Sequence, residues 1–124
     1  MVIVLSNSSP TPLYEQIREQ IKNNIIKGEL KSGDPLPSIR GLAKELKVSI
    51  ITTKRSYEEL EKEGFIQTVS GKGTFVGGQN EERLREIALF EFERKIEEAI
   101  NSAKSVGLTL EEGLEIFKSI YEEE

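Results

Sequence analysis

From Leu36 to Val76 the sequence predicts two short helices in close succession, followed by a hairpin. Ser38 and Ser49 are hydroxyl residues of the kind that cap a helix N-terminus, so they mark the starts of the two helices. Only Lys47-Val48 lies between the end of one helix and the cap of the next, which leaves room for a tight turn and nothing more. This spacing predicts a helix-turn-helix unit.

The second helix of this unit, predicted from Ser49 to about Glu63, has two different faces. Spacings of three and four residues place one set of side chains toward the core: Thr53, Ser56, Tyr57 and Leu60. The opposite face is polar and β-branched, and it carries Ile51, Thr52 and Arg55, with Lys54 at its edge.

Residues 65–70 and 74–77 are predicted to form two strands joined by a glycine-rich tip. Gly71 and Gly73 permit the positive φ angles that a tight hairpin needs. The tip does not match a nucleotide-binding phosphate loop, because the required preceding glycine is missing and strands flank the tip on both sides. Helix, turn, helix and hairpin in this order predict a winged helix-turn-helix, which usually places one helix in the DNA major groove.

The residues before this unit predict a short strand and one helix. Val2–Leu5 is a β-branched run typical of an edge strand. Thr11-Pro12 resembles a helix start, with a hydroxyl N-cap and then proline at the first helical position. The helix predicted over residues 12–27 ends near Gly28, and Lys31–Pro37 is a turn-rich connector. Its apolar stripe consists of Leu13, Ile17, Ile21 and Ile25.

Charge is unevenly distributed along the chain. The 124 residues carry 17 Lys and Arg against 22 Asp and Glu, a net charge of −5. Residues 1–78 hold 11 basic and 9 acidic side chains, whereas residues 79–124 hold 6 and 13. We therefore expect residues 1–78 to contact DNA and the acidic part to point away from it.

Composition excludes several kinds of chemistry. The sequence contains no Cys and no His, so disulfides, Cys/His metal sites and imidazole catalysis are excluded. The acidic pairs on the predicted helices are adjacent and do not converge, so no enzyme is predicted. No apolar run approaches the length of a membrane span, and the N-terminus lacks a signal peptide's basic region. We expect a cytoplasmic protein with no cofactor, no metal and no membrane partner.

The acidic part predicts two more helices. Asn80 is a candidate cap for a helix reaching about Ser105, and Thr109 with Glu112 forms a capping box for a helix from 110 to about 122. Their apolar residues are too many for one stripe, and a two-fold partner is the simplest cover for them. Packing back onto the N-terminal part, or a slot for a coenzyme or lipid, are the alternatives. The expected dimer-interface residues are Leu89, Phe92, Ile96, Leu114, Phe117 and Tyr121.

The start of the helix that Ser49 caps has features that suit a phosphate. A helix N-terminus presents unsatisfied N–H groups and a partial positive charge. Ser49 and Thr52 add hydroxyl groups at that end, and Lys54 and Arg55 add full charges one turn on. The alternative is an ordinary solvated face in which these two cations pair with glutamates further along the helix.

Further residues complete the candidate DNA-binding face. Ile51 suits contact with a thymine methyl group, whereas Ile50 either shares that role or packs back on the helix that Ser38 caps. Arg40 is placed to reach a phosphate or a guanine edge, or else to form a surface ion pair with Asp34 or Glu45. At the wing tip, Lys72 is placed to reach a phosphate.

These residues together resemble the GntR family of bacterial transcription regulators, and more closely its small YtrA-type subfamily. The resemblance spans residues 9 to 77 and rests on five segments of this sequence: Ser9-Pro10-Thr11-Pro12-Leu13-Tyr14-Glu15-Gln16-Ile17, Leu36-Pro37-Ser38 with Arg40, Leu42 and Ala43, Lys54-Arg55-Ser56-Tyr57, Glu59-Leu60-Glu61 to Gly64, and Gly71-Lys72-Gly73-Thr74-Phe75-Val76.

The resemblance implies DNA contact through Arg40, through the helix start from Ser49 to Arg55, and through the wing tip from Ser70 to Lys72 by way of Gly71. It also implies a short two-helix C-terminal segment for dimerisation, without a large effector domain. Relatives often have polar or basic residues where Ile50 and Ile51 stand, so apolar contact replaces hydrogen-bonded readout at these positions here. Relatives usually have valine and alanine at the positions of Thr53 and Ser56.

The sequence therefore predicts a mostly α fold with a small β-wing, in two parts. Residues 1–78 form the winged helix-turn-helix DNA-binding domain, and residues 79–124 form the helical dimerisation segment. The predicted function is a homodimeric transcriptional regulator, acting as a repressor, that binds an inverted-repeat operator in double-stranded DNA. A winged helix whose exposed isoleucines dock a protein is the alternative. The sequence does not reveal whether a small-molecule effector modulates binding.

Overall fold

The fold is described from a computed structural model for residues 1–78 and 81–123. The chain divides into two compact units, Met1–Leu84 and Arg85–Glu124. The helices and strands follow in chain order: α1 (Leu13–Ile26), β1 (Pro35–Leu36), α2 (Ile39–Leu46), α3 (Ile50–Lys62), β2 (Ile66–Val69), β3 (Gly73–Val76), α4 (Glu81–Ser105) and α5 (Leu110–Glu123). The predicted winged helix-turn-helix is confirmed.

The apolar stripe of α1 forms one wall of the core of the first unit. Ile17, Ile21 and Ile25 are buried, and the stripe packs mainly against α3. The helix begins one residue later than predicted, because Pro12 has an extended ψ of 147° and is itself the cap. Gly28 follows the helix with a φ of 81°, a conformation that glycine adopts readily, and it ends the helix as predicted.

The predicted edge strand at Val2–Leu5 is wrong. The backbone of Val4 is paired instead with the side chain of Gln20: the Val4 N–H donates to Oε1 at 2.8 Å, and Nε2 donates to the Val4 carbonyl at 2.7 Å. Gln16 makes the same pair of bonds to Ser6, at 2.9 Å each. These two side-chain amides on α1 satisfy the backbone that a neighbouring strand would otherwise satisfy.

Helices α2 and α3 confirm the predicted helix-turn-helix and both of its caps. The Ser38 hydroxyl accepts a hydrogen bond from the Gly41 N–H at 2.9 Å. Lys47 ends α2 in the left-handed conformation, with a φ of 56°. The chain then turns directly into the cap of α3 at Ser49. The four side chains predicted to face inward from α3 are all buried: Thr53, Ser56, Tyr57 and Leu60.

The wing is a three-stranded antiparallel sheet in the order β1-β3-β2. Strands β2 and β3 pair from Ile66 opposite Val76 to Val69 opposite Gly73, which confirms the predicted hairpin. Gly71 and Gly73 have φ angles of 76° and 118° at the tip. The predicted connector also contains β1, which the sequence analysis missed, and its two residues pair with Phe75 and Thr74 of β3.

The second unit contains most of α4 and all of α5. Gly107 precedes α5 with a φ of 72°. The predicted capping box is confirmed: the Glu112 N–H donates to the Thr109 hydroxyl at 3.1 Å, and the Thr109 N–H donates to Glu112 Oε1 at 3.1 Å. The Thr109 backbone and hydroxyl bonds lower the pKa of Glu112. The predicted cap at Asn80 lies outside the described residues.

No helix in the described part of the chain is long and apolar enough to span a membrane.

Tyr57 fixes α3 against the chain that precedes α2. Its ring is buried, and its hydroxyl donates to the Pro37 carbonyl at 2.7 Å. Burial, with a smaller contribution from the negative charge of Glu45, raises the pKa of Tyr57 to about 12. The neutral phenol is therefore the form that the folded protein holds.

This pKa shift predicts a specific loss of stability in alkali. Above about pH 10 the unfolded chain releases the Tyr57 proton while the folded chain retains it, so the free energy of unfolding falls as the pH rises toward 12. The expected loss from this group is about 1.4 kcal/mol by pH 11. Urea denaturation at pH 9 and pH 11 should show a smaller drop for Tyr57→Phe than for the wild type. Equal drops in the two proteins would contradict the assignment.

Candidate nucleic-acid interface

The first turn of α3 is held by two hydroxyl groups. The Ser49 Oγ accepts a hydrogen bond from the Thr52 N–H at 3.0 Å, and its own proton goes to Thr52 Oγ1 at 2.8 Å. The Ser49 hydroxyl is thus used within the protein. Thr52 Oγ1 accepts in this pair, so its own hydroxyl proton remains available to an acceptor such as a phosphate oxygen.

Two isoleucines follow the cap and differ in exposure. Ile51 is 80% exposed, whereas Ile50 is 43% exposed. Ile50 is therefore neither buried against a neighbouring helix nor as exposed as Ile51, so it lies between the two predicted alternatives. An 80% exposed β-branched side chain on a short helix leaves apolar surface in water, and contact with another apolar surface would remove it.

The two cations on this face of α3 have different surroundings. Lys54 Nζ lies 3.8 Å from Glu58 Oε1, and both side chains are more than 60% exposed. An exposed pair of this kind contributes little, so Lys54 can leave it at small cost. The Arg55 guanidinium is instead centred 3.7 Å from the middle of the Tyr14 ring on α1. The alternative prediction, in which Arg55 pairs with a glutamate further along the helix, is wrong, because Arg55 contacts the face of the Tyr14 ring instead.

Arg40 and the wing tip present further positive charge. Arg40 is exposed on α2, and within the described residues no carboxylate pairs with it, so the alternative ion pairs with Asp34 and Glu45 do not form. Ser70, Gly71 and Lys72 are all exposed at the tip of the wing. The Lys72 N–H donates to the Val69 carbonyl at 2.9 Å, which closes the turn and leaves the ammonium group in water.

Arg18 shows how a structural cation differs from these. It lies between α1 and the end of α3 and bonds Glu63 at 2.9 Å, Glu19 at 2.7 Å and Glu15 at 3.3 Å. Burial alone would lower the pKa of Arg18, but the three carboxylates more than offset it and raise the pKa. Arg18 is fully committed within the protein, whereas Arg40, Arg55 and Lys72 are not.

Tyr14 contacts this face of α3 and was not among the residues predicted from the sequence. It lies outside the apolar stripe of α1 and is half-buried, with its ring under Arg55 and its backbone carbonyl bonded by Ser56 Oγ at 2.7 Å. An aromatic residue beside, not within, the apolar stripe is the signal that points to it. Among the described residues, no group of acidic side chains is arranged to hold a metal ion.

The second unit exposes several large apolar side chains. Five of the six residues expected at a dimer interface are between 44% and 73% exposed: Leu89, Phe92, Leu114, Phe117 and Tyr121. Ile96 is half-buried. The Phe117 and Tyr121 rings stack with centroids 5.9 Å apart. Ile96, Leu114 and Phe117 line an apolar cleft of about 530 Å³ between α4 and α5, whereas Leu89, Phe92 and Tyr121 lie outside it.

Comparison with known proteins places this geometry in a family. Residues 13–76 match the model of bacterial regulatory proteins of the gntR family. The chain is 36% identical over 119 residues to the HTH-type transcriptional repressor YtrA of Bacillus subtilis (strain 168), covering 96% of this chain and 92% of that protein. A GntR family transcriptional regulator from Listeria monocytogenes superimposes with a TM-score of 0.80 at 30% identity, over 93% of this chain and 98% of that one.

A second similar structure is a complex with DNA. The AraR(DBD) chain bound to operator ORR3 superimposes with a TM-score of 0.52 at 28% identity, over 60% of this chain and 89% of that one. This chain is a transcriptional regulator that belongs to the GntR family. Its similarity to YtrA over most of both lengths confirms the predicted YtrA-type subfamily.

Proposed function

We propose that this chain is a homodimeric repressor that binds an inverted-repeat operator in double-stranded DNA and has no enzymatic activity. The observation that carries the proposal is the face formed by the start of α3, where Ile51 is 80% exposed beside Thr52 and the cations of the same helix. The name of YtrA as a repressor supports the direction of regulation. The complex of the AraR(DBD) chain with an operator supports the type of partner.

Phosphate contacts would hold the protein on the duplex. The N-terminus of α3 provides N–H groups and a partial positive charge, and the Thr52 hydroxyl has a proton to donate. Lys54 lies in a weak, exposed ion pair that a phosphate can replace. The wing tip, Ser70 to Lys72, would lie on the backbone next to the groove.

Base contacts would supply the sequence preference. Ile51 is the most exposed side chain at the start of α3, and it suits a thymine methyl in the major groove. Ile50, which is 43% exposed, would lie at the edge of the same contact. Arg40, whose guanidinium is unpaired among the described residues, suits a bidentate contact to guanine or a phosphate. Arg55 is the second candidate for such a contact.

The second unit would supply the dimer interface. No residue of α5, and none described in α4, is buried. Leu114 and Phe117 line an apolar cleft of about 530 Å³, and a two-fold related copy would cover it. Two identical chains related by a two-fold axis read two half-sites of opposite orientation, which is why the proposed operator is an inverted repeat.

The proposed roles predict that Lys54 and Ile51 affect DNA binding in different ways. Lys54→Ala should weaken all duplexes alike and reduce the salt slope by about one unit per half-site, because a phosphate contact is lost. Ile51→Ala should leave that slope unchanged and lower the preference for the cognate duplex by about 1 kcal/mol. Arg40→Ala should cost about 1–3 kcal/mol if its contact is bidentate. Salt titrations on cognate and scrambled duplexes measure all three.

Lys62→Ala is the matched control for Lys54, since Lys62 is exposed in the last turn of α3, far from its N-terminus. It should leave both binding and salt slope close to the wild type. Equal loss of affinity for both duplexes in Ile51→Ala would contradict its role as a reader. Wild-type binding without salt dependence would favour the other interpretation, in which the exposed isoleucines dock a protein.

The dimer proposal predicts a monomer when the cleft is made polar. Phe117→Asp should dissociate the dimer, because a charge in an apolar interface has no partner. Ser119→Asp, which adds the same charge to an exposed residue outside the cleft, should leave the dimer intact. Sedimentation equilibrium at micromolar concentration separates the two results. A wild-type monomer at that concentration would contradict the proposal.

A further inference from the structure

We propose that Tyr14 is a positioning residue that holds Arg55 in the orientation in which Arg55 contacts DNA. The inference rests on the proposed function, since it concerns how the same face binds a duplex. It assigns a DNA-binding role to α1, which is otherwise the wall of the core.

The geometry places the guanidinium on the face of the ring. The Arg55 Cζ is 3.7 Å from the Tyr14 centroid, well within the range at which a cation is attracted to an aromatic face. Arg55 is exposed, and within the described residues no carboxylate pairs with it. The ring is thus its main fixed contact.

Stacking of this kind leaves the useful part of the guanidinium free. An arginine presents its five N–H donors at the edge of a flat group, while the ring contact uses only the face of that group. A free arginine side chain must lose rotamer freedom when it binds, and a side chain already ordered by a ring loses less. Arg55 is therefore both oriented and available for a phosphate or a guanine.

The backbone of Tyr14 is held by the residue that follows Arg55. Ser56, the next residue along α3, is fully buried and donates its hydroxyl proton to the Tyr14 carbonyl at 2.7 Å. The Ser56 Oγ also lies 3.2 Å from the Thr52 carbonyl of its own helix. Two consecutive residues of α3 thus contact Tyr14: one fixes its backbone, and the other rests on its ring.

The test is a double-mutant cycle with the full chain and the duplex that the wild type enriches from a random pool. Tyr14→Leu removes the aromatic face and keeps an apolar side chain, and it should weaken binding by about 2- to 5-fold per half-site. Tyr14→Phe keeps the ring and should restore most of the affinity. In an Arg55→Gln background, Tyr14→Leu should have no further effect. Thermal melts of each variant measure folding separately.

A second measurement needs no DNA. In the free chain the ring current of Tyr14 should shift the NMR signals of the Arg55 side-chain protons upfield, and Tyr14→Leu should remove that shift. Absence of the shift in the wild type would overturn the proposed stacking.

Three binding results would overturn the positioning role: wild-type affinity in Tyr14→Leu, an equal loss in the Arg55→Gln background, or an equal loss in Tyr14→Phe. The last of these would indicate direct contact by the hydroxyl. If the wild type enriched no duplex while the upfield shift was present, the stacking would stand and the proposed function would fail.

Discussion

The buried face of α3 is the constraint on which the rest of the first unit depends. Thr53, Ser56, Tyr57 and Leu60 are buried against α1 and α2, and the Tyr57 hydroxyl ties the helix to Pro37 at 2.7 Å. Because helix geometry fixes the angle between successive residues, burying this face determines what the opposite face presents. The exposure of Ile51 and the placement of Lys54 and Arg55 follow from the packing of their neighbours.

Local patterns predicted much of this arrangement. Helix caps at Ser38 and Ser49 and the capping box at Thr109 depend on residues three apart, so the sequence contains all the information they need. The same holds for the inward face of α3. Contacts between distant segments could not be predicted: β1 has only two residues and no periodicity of its own, and it forms because β3 provides an edge. The hydrogen bonds from the N-terminal backbone to the amides of Gln16 and Gln20, which form in place of the predicted strand, also join segments that are distant in sequence.

In the candidate site, too, the residue types could be predicted from the sequence, whereas the contacts between side chains could not. Residue types indicated a cationic, hydroxyl-bearing helix start, and the structure exposes Arg40, Ile51 and Lys72. Two contacts could not be predicted, because each depends on the relative placement of side chains. The Ser49 hydroxyl donates to Thr52, and the Tyr14 ring lies beneath Arg55. The structure also separates cations that form ion pairs within the protein, such as Arg18, from cations that can bind a partner.

The central claim is that two copies of this chain read DNA through two-fold related copies of α3. Hydroxyl-radical footprinting on the duplex enriched from a random pool tests it most directly. The account predicts protection that is symmetric about a central dyad, on an inverted repeat whose half-site centres lie about 10 bp apart or a small multiple of that distance. Protection of a direct repeat, or of a single isolated half-site, would contradict it.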